Sequence, residues 1–350
     1  MRKIRTRTQM ICAALGAVAV GGTVALTGML HQDPARSDDA EVVELLGGPP
    51  GFVAVPHDEA AAATTTSASP TSVTTTTKAA PKPTPKPGGG AARPGGMPGP
   101  ANTGPVPGTA FTVVNGDQTF SSSGQVIEGK DFHGFVKVTG KNITFRNCIF
   151  RGRSTTSNNA LLDTESGSGT VIEDSEFVPS NPAPTIDSIA ARNTTITRVH
   201  IHGGVDGMKA ESNTIVQDSY IHDMNWFASD PNQGGGATHN DGIQSFDGES
   251  NVIIRHNTID MSTTKSANAA WQTSAFNSRI ENNYLDGGGC IINVNQMARS
   301  GGIAIVGNRF GRHSEFKCPI LLSTRSKLSE NSGNVWADTG EAIPEPQVHD

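Results

Sequence analysis

The chain has 350 residues, including 40 Gly and 21 Pro, and it carries a formal net charge of −6. No long window rich in Leu, Ala, Glu and Lys occurs after the first 30 residues, which argues against helical bundles and doubly wound α/β folds. The abundance of Asn, Gly, Thr, Ser and Ile indicates many short strands joined by turns.

The charge is divided unevenly along the chain. Residues 1–108 contain nine basic and seven acidic groups, whereas residues 109–350 contain 18 basic and 26 acidic groups. The second part is therefore acidic, which excludes a general binder of nucleic acid or of anionic membranes. An acidic polymer would bind here only through a local basic patch or a bridging divalent cation.

Residues 1–30 have the pattern of an export segment. Four basic residues lie within the first seven positions, and the run from Met10 to Leu30 contains no charged residue. This run is longer than a usual signal-peptide core and about long enough to span a bilayer. Both a cleaved signal peptide and a signal anchor remain open. We expect a secreted or cell-surface protein whose only membrane contact is this segment.

Residues 31–108 are predicted to form a disordered linker. From Ala60 to Gly108 the chain consists almost wholly of Ala, Thr, Ser, Pro, Gly and Lys. Such a segment cannot bury enough apolar surface to offset the entropy lost on ordering. It would act as an inert spacer or as a stalk for a folded domain.

Residues 109–343 are predicted to form the folded domain, and a repeat determines its fold. Seven segments share a strand of alternating residues, then a polar corner, then one closing apolar residue. The closing residues are Phe150, Phe177, Ile201, Ile221, Ile259, Leu285 and Phe310. Most gaps between them are 20–27 residues, the length of one coil of a parallel β-helix. Leucine-rich repeats would need Leu at fixed spacings, and a sandwich would need hairpins. We predict an all-β, single-stranded parallel β-helix of about eight coils. Residues 344–350 would form a tail whose prolines stop further strand addition.

The cysteines fit the same period. Cys290 and Cys318 are 28 residues apart, about one coil, and both begin apolar strands. Equivalent positions in adjacent coils lie within reach of a disulfide, which an exported protein can keep. Cys148 falls at a corner and is expected to be a buried free thiol. No zinc-binding cysteine spacing is present.

One gap in the repeat is anomalous, because 38 residues separate Ile221 from Ile259. The excess lies between Asp223 and Asn240. Long insertions in a solenoid form loops, commonly on its binding face. Within this loop Trp226 is a candidate for stacking on a sugar ring, with pinning of the loop as the alternative.

Aspartates recur at one position of successive coils. Asp187, Asp206 and Asp241 each precede an apolar residue by two positions, so they should form one column. Stacked carboxylates about 5 Å apart repel, so one of them must hold a proton or share a cation. We expect Asp206 and Asp241 to serve acid/base catalysis or to bind calcium. The alternative, favoured for Asp187, is that the aspartate is present because it tolerates the backbone conformation of a turn.

These strands carry a resemblance to a known superfamily. Over about residues 109–340 the sequence resembles the pectate-lyase-like right-handed parallel β-helix proteins. In their polygalacturonase-type hydrolases, Asp-Gly-Ile strands of adjacent coils carry the catalytic carboxylates, and the segments 206–208 and 241–243 match that placement. The resemblance implies right-handed coils and a cleft at these strands. Related lyases and epimerases neutralise a uronate with calcium or Arg and abstract a proton with Lys, Arg or His.

Further candidates follow from their proximity to these strands. Lys209 and His239 join Asp206 and Asp241 as predicted catalytic residues. The predicted substrate-binding residues are Trp226, Asn240, Gln244 and Arg255. His256 is a corner residue with an expected structural role. We place His200, His202 and His222 on separate sheets, so they are not expected to form a metal site.

The sequence therefore predicts an exported enzyme that acts on polysaccharide as a lyase, an epimerase or a glycoside hydrolase. The alternative is a non-catalytic cell-surface module that binds carbohydrate or acts as an adhesin. The expected partner is an extracellular polysaccharide, with no nucleic acid, and the chain is expected to be a monomer. No cofactor is required by the motifs, and calcium at Asp206 and Asp241 is the one candidate.

Overall fold

The computed structural model describes residues 95–295 and 302–349, which form three parallel sheets around one core. The predicted parallel β-helix is confirmed. The predicted export segment, residues 1–30, and the linker as far as residue 94 lie outside the described residues. Within the described ranges no helix is long and apolar enough to cross a bilayer.

Each coil contributes one strand to each sheet in turn, and strands are numbered in chain order. Sheet 1 contains β1 Thr112–Asn115, β4 Lys130–His133, β7 Ile149–Phe150, β10 Glu176–Phe177, β13 His200–His202, β16 Tyr220–His222, β19 Thr258–Met261, β22 Tyr284–Gly287, β25 Arg309–Phe310 and β28 Val335–Trp336. Sheet 2 contains β2 Gln118–Phe120, β5 Val136–Val138, β8 Asn159–Asp163, β11 Ile186–Ala191, β14 Met208–Ala210, β17 Asp241–Ser245, β20 Ala269–Thr273, β23 Cys290–Val294, β26 Cys318–Ser323 and β29 Gln347–His349. Sheet 3 contains β3 Val126–Glu128, β6 Thr144–Arg146, β9 Thr170–Glu173, β12 Thr194–Thr197, β15 Ile215–Gln217, β18 Ile253–Arg255, β21 Ser278–Glu281, β24 Ile303–Val306 and β27 Leu328–Ser332.

The described solenoid has nine complete coils and a tenth of two strands, rather than about eight. The difference lies at the ends, where the repeat signature is missing. The last strand, β29, lies in the predicted tail and pairs in parallel with β26. The expectation that Pro344 and Pro346 would stop strand addition is therefore wrong. Both prolines precede the strand, where a missing N–H breaks no ladder hydrogen bond.

The closing apolar residues lie in one row of sheet 1. Phe150 pairs with Phe177, which pairs with Ile201, and the row continues through the remaining predicted positions to Phe310. All are fully buried. The rings of Phe150 and Phe177 stack with centroids 4.6 Å apart. Burial of a side chain of this size contributes about 1.5–3 kcal/mol, which only stacked coils can supply.

The corners explain the abundance of Asn, Asp and Gly. Two corners of most coils have a residue in the left-handed region, such as Asn193 and Arg198 in the fourth coil. Asn and Asp tolerate this conformation better than other residues with a side chain. In the later coils a column of buried Asn forms side-chain hydrogen bonds along the solenoid. Asn257 donates to Asn283, Asn283 to Asn308, and Asn308 to Asn334, at 2.9–3.0 Å.

A disulfide joins Cys290 and Cys318, the pair that the period singles out. The two residues are register partners on β23 and β26, with Cα atoms 4.7 Å apart. Cys148 is a buried free thiol, and burial raises its pKa to about 11.

The segment before β1 contacts the side of the solenoid, although the sequence assigns it to the linker. The Gly104 N–H donates to the carbonyl of Arg198 at 2.9 Å. The Val106 N–H donates to Asn147 Oδ1 at 3.0 Å. Thr103 is buried. Composition could not predict this packing, because it depends on the corner groups that the solenoid presents.

Candidate functional site

The predicted aspartate column exists in the register of sheet 2. Ile189 pairs with Met208, which pairs with Ile243. Asp206 and Asp241, two positions before Met208 and Ile243, are therefore equivalent residues of adjacent coils. The long loop 223–240 joins β16 to β17, and it contains one short 3-10 helix, Pro231–Gln233.

Around this column lies the Asp-Lys cluster, which we define as Asp187, Asp206, Lys209, Asp241 and Gln244. The Lys209 ammonium contacts the Asp206 carboxylate and donates to Gln244 Oε1 at 2.7 Å. Its Nζ is 3.8 Å from Asp187 Oδ1. The side chains of Lys209 and Asp206 are only 6% and 8% exposed. Burial opposes the charge of Lys209, but Asp187, Asp206 and Asp241 outweigh it and raise its pKa.

Asp241 is the most enclosed member of the cluster. Its backbone N–H donates to Asp206 Oδ1 at 2.7 Å, and its Oδ1 accepts from Asn268 Nδ2 at 2.9 Å. Its Oδ2 is buried and has no hydrogen-bond partner among the described residues. Burial, reinforced by the Asp206 charge, raises the pKa of Asp241 well above its ordinary value. The cluster thus places the Lys209 ammonium beside a carboxyl group, that of Asp241, whose pKa is raised by burial.

Calcium does not fit this pair. A calcium ion takes six to eight oxygen ligands, usually with water access. The Lys209 ammonium already occupies the cation position beside Asp206, and both carboxylates are buried. Asp206 and Asp241 are therefore not assigned as calcium ligands.

Asn240, predicted to bind substrate, forms hydrogen bonds that join the two ends of the loop. It is fully buried, and its Nδ2 donates to the carbonyls of Val205 and Asn225. Its Oδ1 accepts from Thr238 Oγ1 at 2.8 Å. This leaves no face of the side chain for a ligand.

The other predicted residues are divided between the loop and sheet 3, and on the loop the hydrogen bonds between Phe227 and Thr238 join the segments that carry Trp226 and His239. His239 is exposed on the loop. Lys265 Nζ lies 3.6 Å from the centre of the Trp226 ring, so a cation covers one face of this ring. Arg255 lies on β18 of sheet 3, not on sheet 2, and its guanidinium donates to Gln217 Oε1 at 2.6 and 2.9 Å. The structure therefore brings together Asp206, Lys209, Asp241 and Gln244 and places Arg255 on a different sheet.

A second polar group lies on sheet 1, where the sequence analysis did not expect one. The histidine cluster, defined as Glu176, His200, His202 and His222, occupies the neighbouring strands β10, β13 and β16. The placement of these histidines on separate sheets is therefore wrong. His200 Nε2 and His222 Nε2 are 2.7 Å apart, and His202 Nε2 is 2.9 Å from Glu176 Oε1. Burial lowers the pKa of His200 to about 4.

The same face continues toward the later coils. His222 pairs with Asp260, and Asp260 pairs with Asp286 on the following strand. Asp286 Oδ2 accepts from His313 Nδ1 at 2.6 Å and from the Tyr284 hydroxyl at 3.2 Å. Asp286 is buried, whereas the His313 side chain is 70% exposed. The hydrogen bond to Asp286 raises the pKa of His313. Burial, with the Asp286 and Asp260 charges, raises the pKa of Tyr284.

We define the sheet 1 face as the following polar residues: Glu176, His200, His202, Tyr220, His222, Asp260, Tyr284, Asp286, Arg309 and His313. Five residues of this face were not predicted from the sequence as functional candidates: Glu176, Tyr220, Tyr284, Asp286 and His313. A signal was present, because the residues on each side of a closing apolar residue share one side of the strand. The triplets 200–202, 220–222 and 284–286 read His-Ile-His, Tyr-Ile-His and Tyr-Leu-Asp. Alignment of the closing residues would have stacked these polar groups into two rows.

Comparisons with known proteins find similar structures but no similar sequence. No protein-family model and no curated protein sequence matches the chain. It is similar to an alginate lyase from Paenibacillus sp. str. FPU-7, with a TM-score of 0.34 and 10% identity over 67% of this chain and 97% of that one. It is also similar to the Dettilon tailspike protein, with a TM-score of 0.31 and 13% identity over 68% of this chain and 61% of that one. Similarities of this size identify no function for the chain.

Proposed function

We propose that the protein is an exported polysaccharide lyase of the pectate-lyase-like type and that its substrate binds along the sheet 1 face. One observation carries the proposal. An exposed imidazole, His313, is oriented by a buried carboxylate, Asp286, beside a tyrosine hydroxyl on an extended polar face. The disulfide and the basic-apolar export pattern support an extracellular location, where a polysaccharide would be the partner.

The available groups favour elimination over hydrolysis. Glycoside hydrolysis ordinarily needs two carboxyl groups that both reach the glycosidic bond. The stacked carboxyl groups of Asp206 and Asp241 are buried, so they do not meet this need. Elimination from a uronate needs a base, an acid and a partner for the substrate carboxylate, and imidazole and phenol groups can serve as base and acid.

Each role has a candidate on the sheet 1 face. His313 Nε2 would take the proton from the carbon next to the uronate carboxylate, while its Nδ1 stays bonded to Asp286. As the bond to the leaving glycosidic oxygen breaks, Tyr284, kept protonated by its raised pKa, would donate a proton to that oxygen. Arg309 is the register partner of Tyr284 and is exposed, so its guanidinium can pair with the substrate carboxylate.

The experiment is an activity screen of the full chain on uronate-containing and neutral polysaccharides. Unsaturated uronate products are followed by absorbance and reducing ends by a separate assay. We expect unsaturated products from a uronate polymer and a loss of about 100-fold or more in His313→Gln and Tyr284→Phe.

His256→Asn is the matched control, because His256 is also an exposed histidine bonded to an aspartate, Asp218, but it lies at a corner beside sheet 3. Its left-handed backbone suits Asn, so this variant should keep full activity. Reducing ends without unsaturated products, or full activity in His313→Gln, would contradict the proposal. Glycan binding without turnover would favour the non-catalytic module instead.

A further inference from the structure

The proposed elimination leaves the histidine cluster without a role. We propose that Glu176, His200, His202 and His222 bind one divalent transition metal ion of the zinc class. The inference does not rest on the proposed function, because it concerns binding of the ion alone.

The donor atoms already converge. Glu176, His200 and His202 each offer one ligand atom, and these atoms all lie within 4.8 Å of one another. His222 Nε2 lies 2.7 Å from His200 Nε2, so an ion bound to His200 is within reach of His222. Ligand atoms of tetrahedral zinc lie about 3.3 Å apart, given bonds of about 2.0–2.1 Å. The two Nε2 atoms of His200 and His222 are closer than this, so binding of an ion between them would require their side chains to rotate apart.

The strand geometry accounts for this convergence. His200 and His202 are two residues apart on β13 and point to the same side of the sheet. Glu176 and His222 come from the strands on either side of β13. Three neighbouring strands about 4.8 Å apart thus hold four donors on one surface. The sheet fixes the backbone of every ligand before any ion binds.

A neighbouring carboxylate, that of Asp223, orients the His222 imidazole. His222 Nδ1 lies 2.7 Å from Asp223 Oδ2, and Asp223 Oδ1 accepts a hydrogen bond from Thr263 Oγ1. A carboxylate on one ring nitrogen directs the other nitrogen toward a metal, a pattern found in zinc sites. Here the other nitrogen, Nε2, faces His200.

The donor set also selects the class of ion. Three imidazoles and one carboxylate suit zinc and its neighbours in the first transition row. Calcium and magnesium need more oxygen ligands than this cluster offers. The side chains of His202 and Glu176 are 26% and 25% exposed, so an ion can enter from solvent.

The test measures metal content without substrate. The full chain is stripped with a chelator, dialysed against zinc chloride, and analysed for zinc per chain. We expect one zinc per chain, and a cobalt-loaded sample should show the intense visible absorption of a four-coordinate site. His200→Ala/His202→Ala should lose the stoichiometric ion, and Asp223→Ala should weaken binding about 10- to 100-fold.

Two controls make the result decisive. His256→Asn and His313→Gln each remove an exposed histidine outside the cluster and should keep one zinc per chain. If the double variant fails to fold by circular dichroism, Glu176→Gln replaces it and should weaken binding at least tenfold. No stoichiometric zinc in the unmodified chain, or equal zinc content and affinity in the cluster variants, overturns the proposal. Because no substrate is present, failure of the lyase proposal would leave this result unaffected.

Discussion

The Asp-Lys cluster and the histidine cluster are built by the same rule on two sheets of one solenoid. In each, register brings polar residues of neighbouring strands together. In the first, the Lys209 and Asp206 side chains are nearly inaccessible, whereas in the second the His202 and Glu176 side chains are about one-quarter exposed. Register therefore decides which side chains meet, and the surrounding packing decides whether they are exposed to solvent.

This difference assigns different physical roles to the clusters. Buried opposite charges hold one another in place and are costly to separate. Partly exposed imidazoles and carboxylates can exchange water for a ligand. Asp206, Lys209 and Asp241 therefore have the burial that is typical of framework residues, whereas the sheet 1 face has the exposure that ligand binding requires.

The largest expected effect comes from breaking the buried pair. Asp206→Ala removes the carboxylate that contacts the buried Lys209 ammonium, although the Asp187 carboxylate 3.8 Å away and Gln244 Oε1 remain near it. We expect the free energy of unfolding in urea to fall by about 3–5 kcal/mol. Asp163→Ala is the matched control, because Asp163 pairs with Lys137 on the same sheet but both side chains are half-buried. It should cost about 1 kcal/mol or less. Equal losses of stability in the two variants would contradict the idea that burial makes the Asp206–Lys209 pair costly to break.

A smaller effect concerns the pH dependence of stability. The folded-state pKa of Asp241 is raised, so its contribution is fully present below the unfolded pKa and is lost as pH rises toward the folded pKa. Asp241→Asn removes this loss, so its stability relative to the unmodified chain should grow with pH above about 4, by up to about 1.4 kcal/mol per pH unit. Urea unfolding at several pH values measures it. A constant difference across pH would mean that Asp241 is ionised in the fold.

The smallest effect is expected on the sheet 1 face. Tyr220 stacks on His222 with ring centroids 4.0 Å apart, and Phe keeps this contact while it removes the hydroxyl. Tyr220→Phe should therefore change the free energy of unfolding by less than about 0.5 kcal/mol, measured with a chelator present. A loss comparable to that of Asp206→Ala would show that this face is built for stability rather than for a ligand.

The sequence predicts what depends on the period of the chain. The row of closing residues, the equivalence of Asp206 with Asp241, and the pairing of Cys290 with Cys318 all follow from counting one coil. Exposure does not follow from the period. Burial of the aspartate pair depends on contacts such as those of Asn240 and Asn268, which come from loops without a repeat. The prediction that the histidines lie on separate sheets was wrong for a different reason. The repeat aligns Ile201 with Ile221, and the residues on either side of them have to be aligned in the same way.

The short segment before β1 determines where mechanical load enters the domain. Gly104 is bonded to the corner of the fourth coil at Arg198, and Val106 to the corner at Asn147, before the chain reaches the first strand. Tension applied from the N-terminal side therefore meets these lateral bonds before it reaches the exposed edge of β1. The pulling force therefore acts first on an inner coil, whose strands are paired on both sides. It does not act first on β1, which is an edge strand of the terminal coil. If the domain is pulled from its N-terminal side, these bonds transfer the force first to the inner coils.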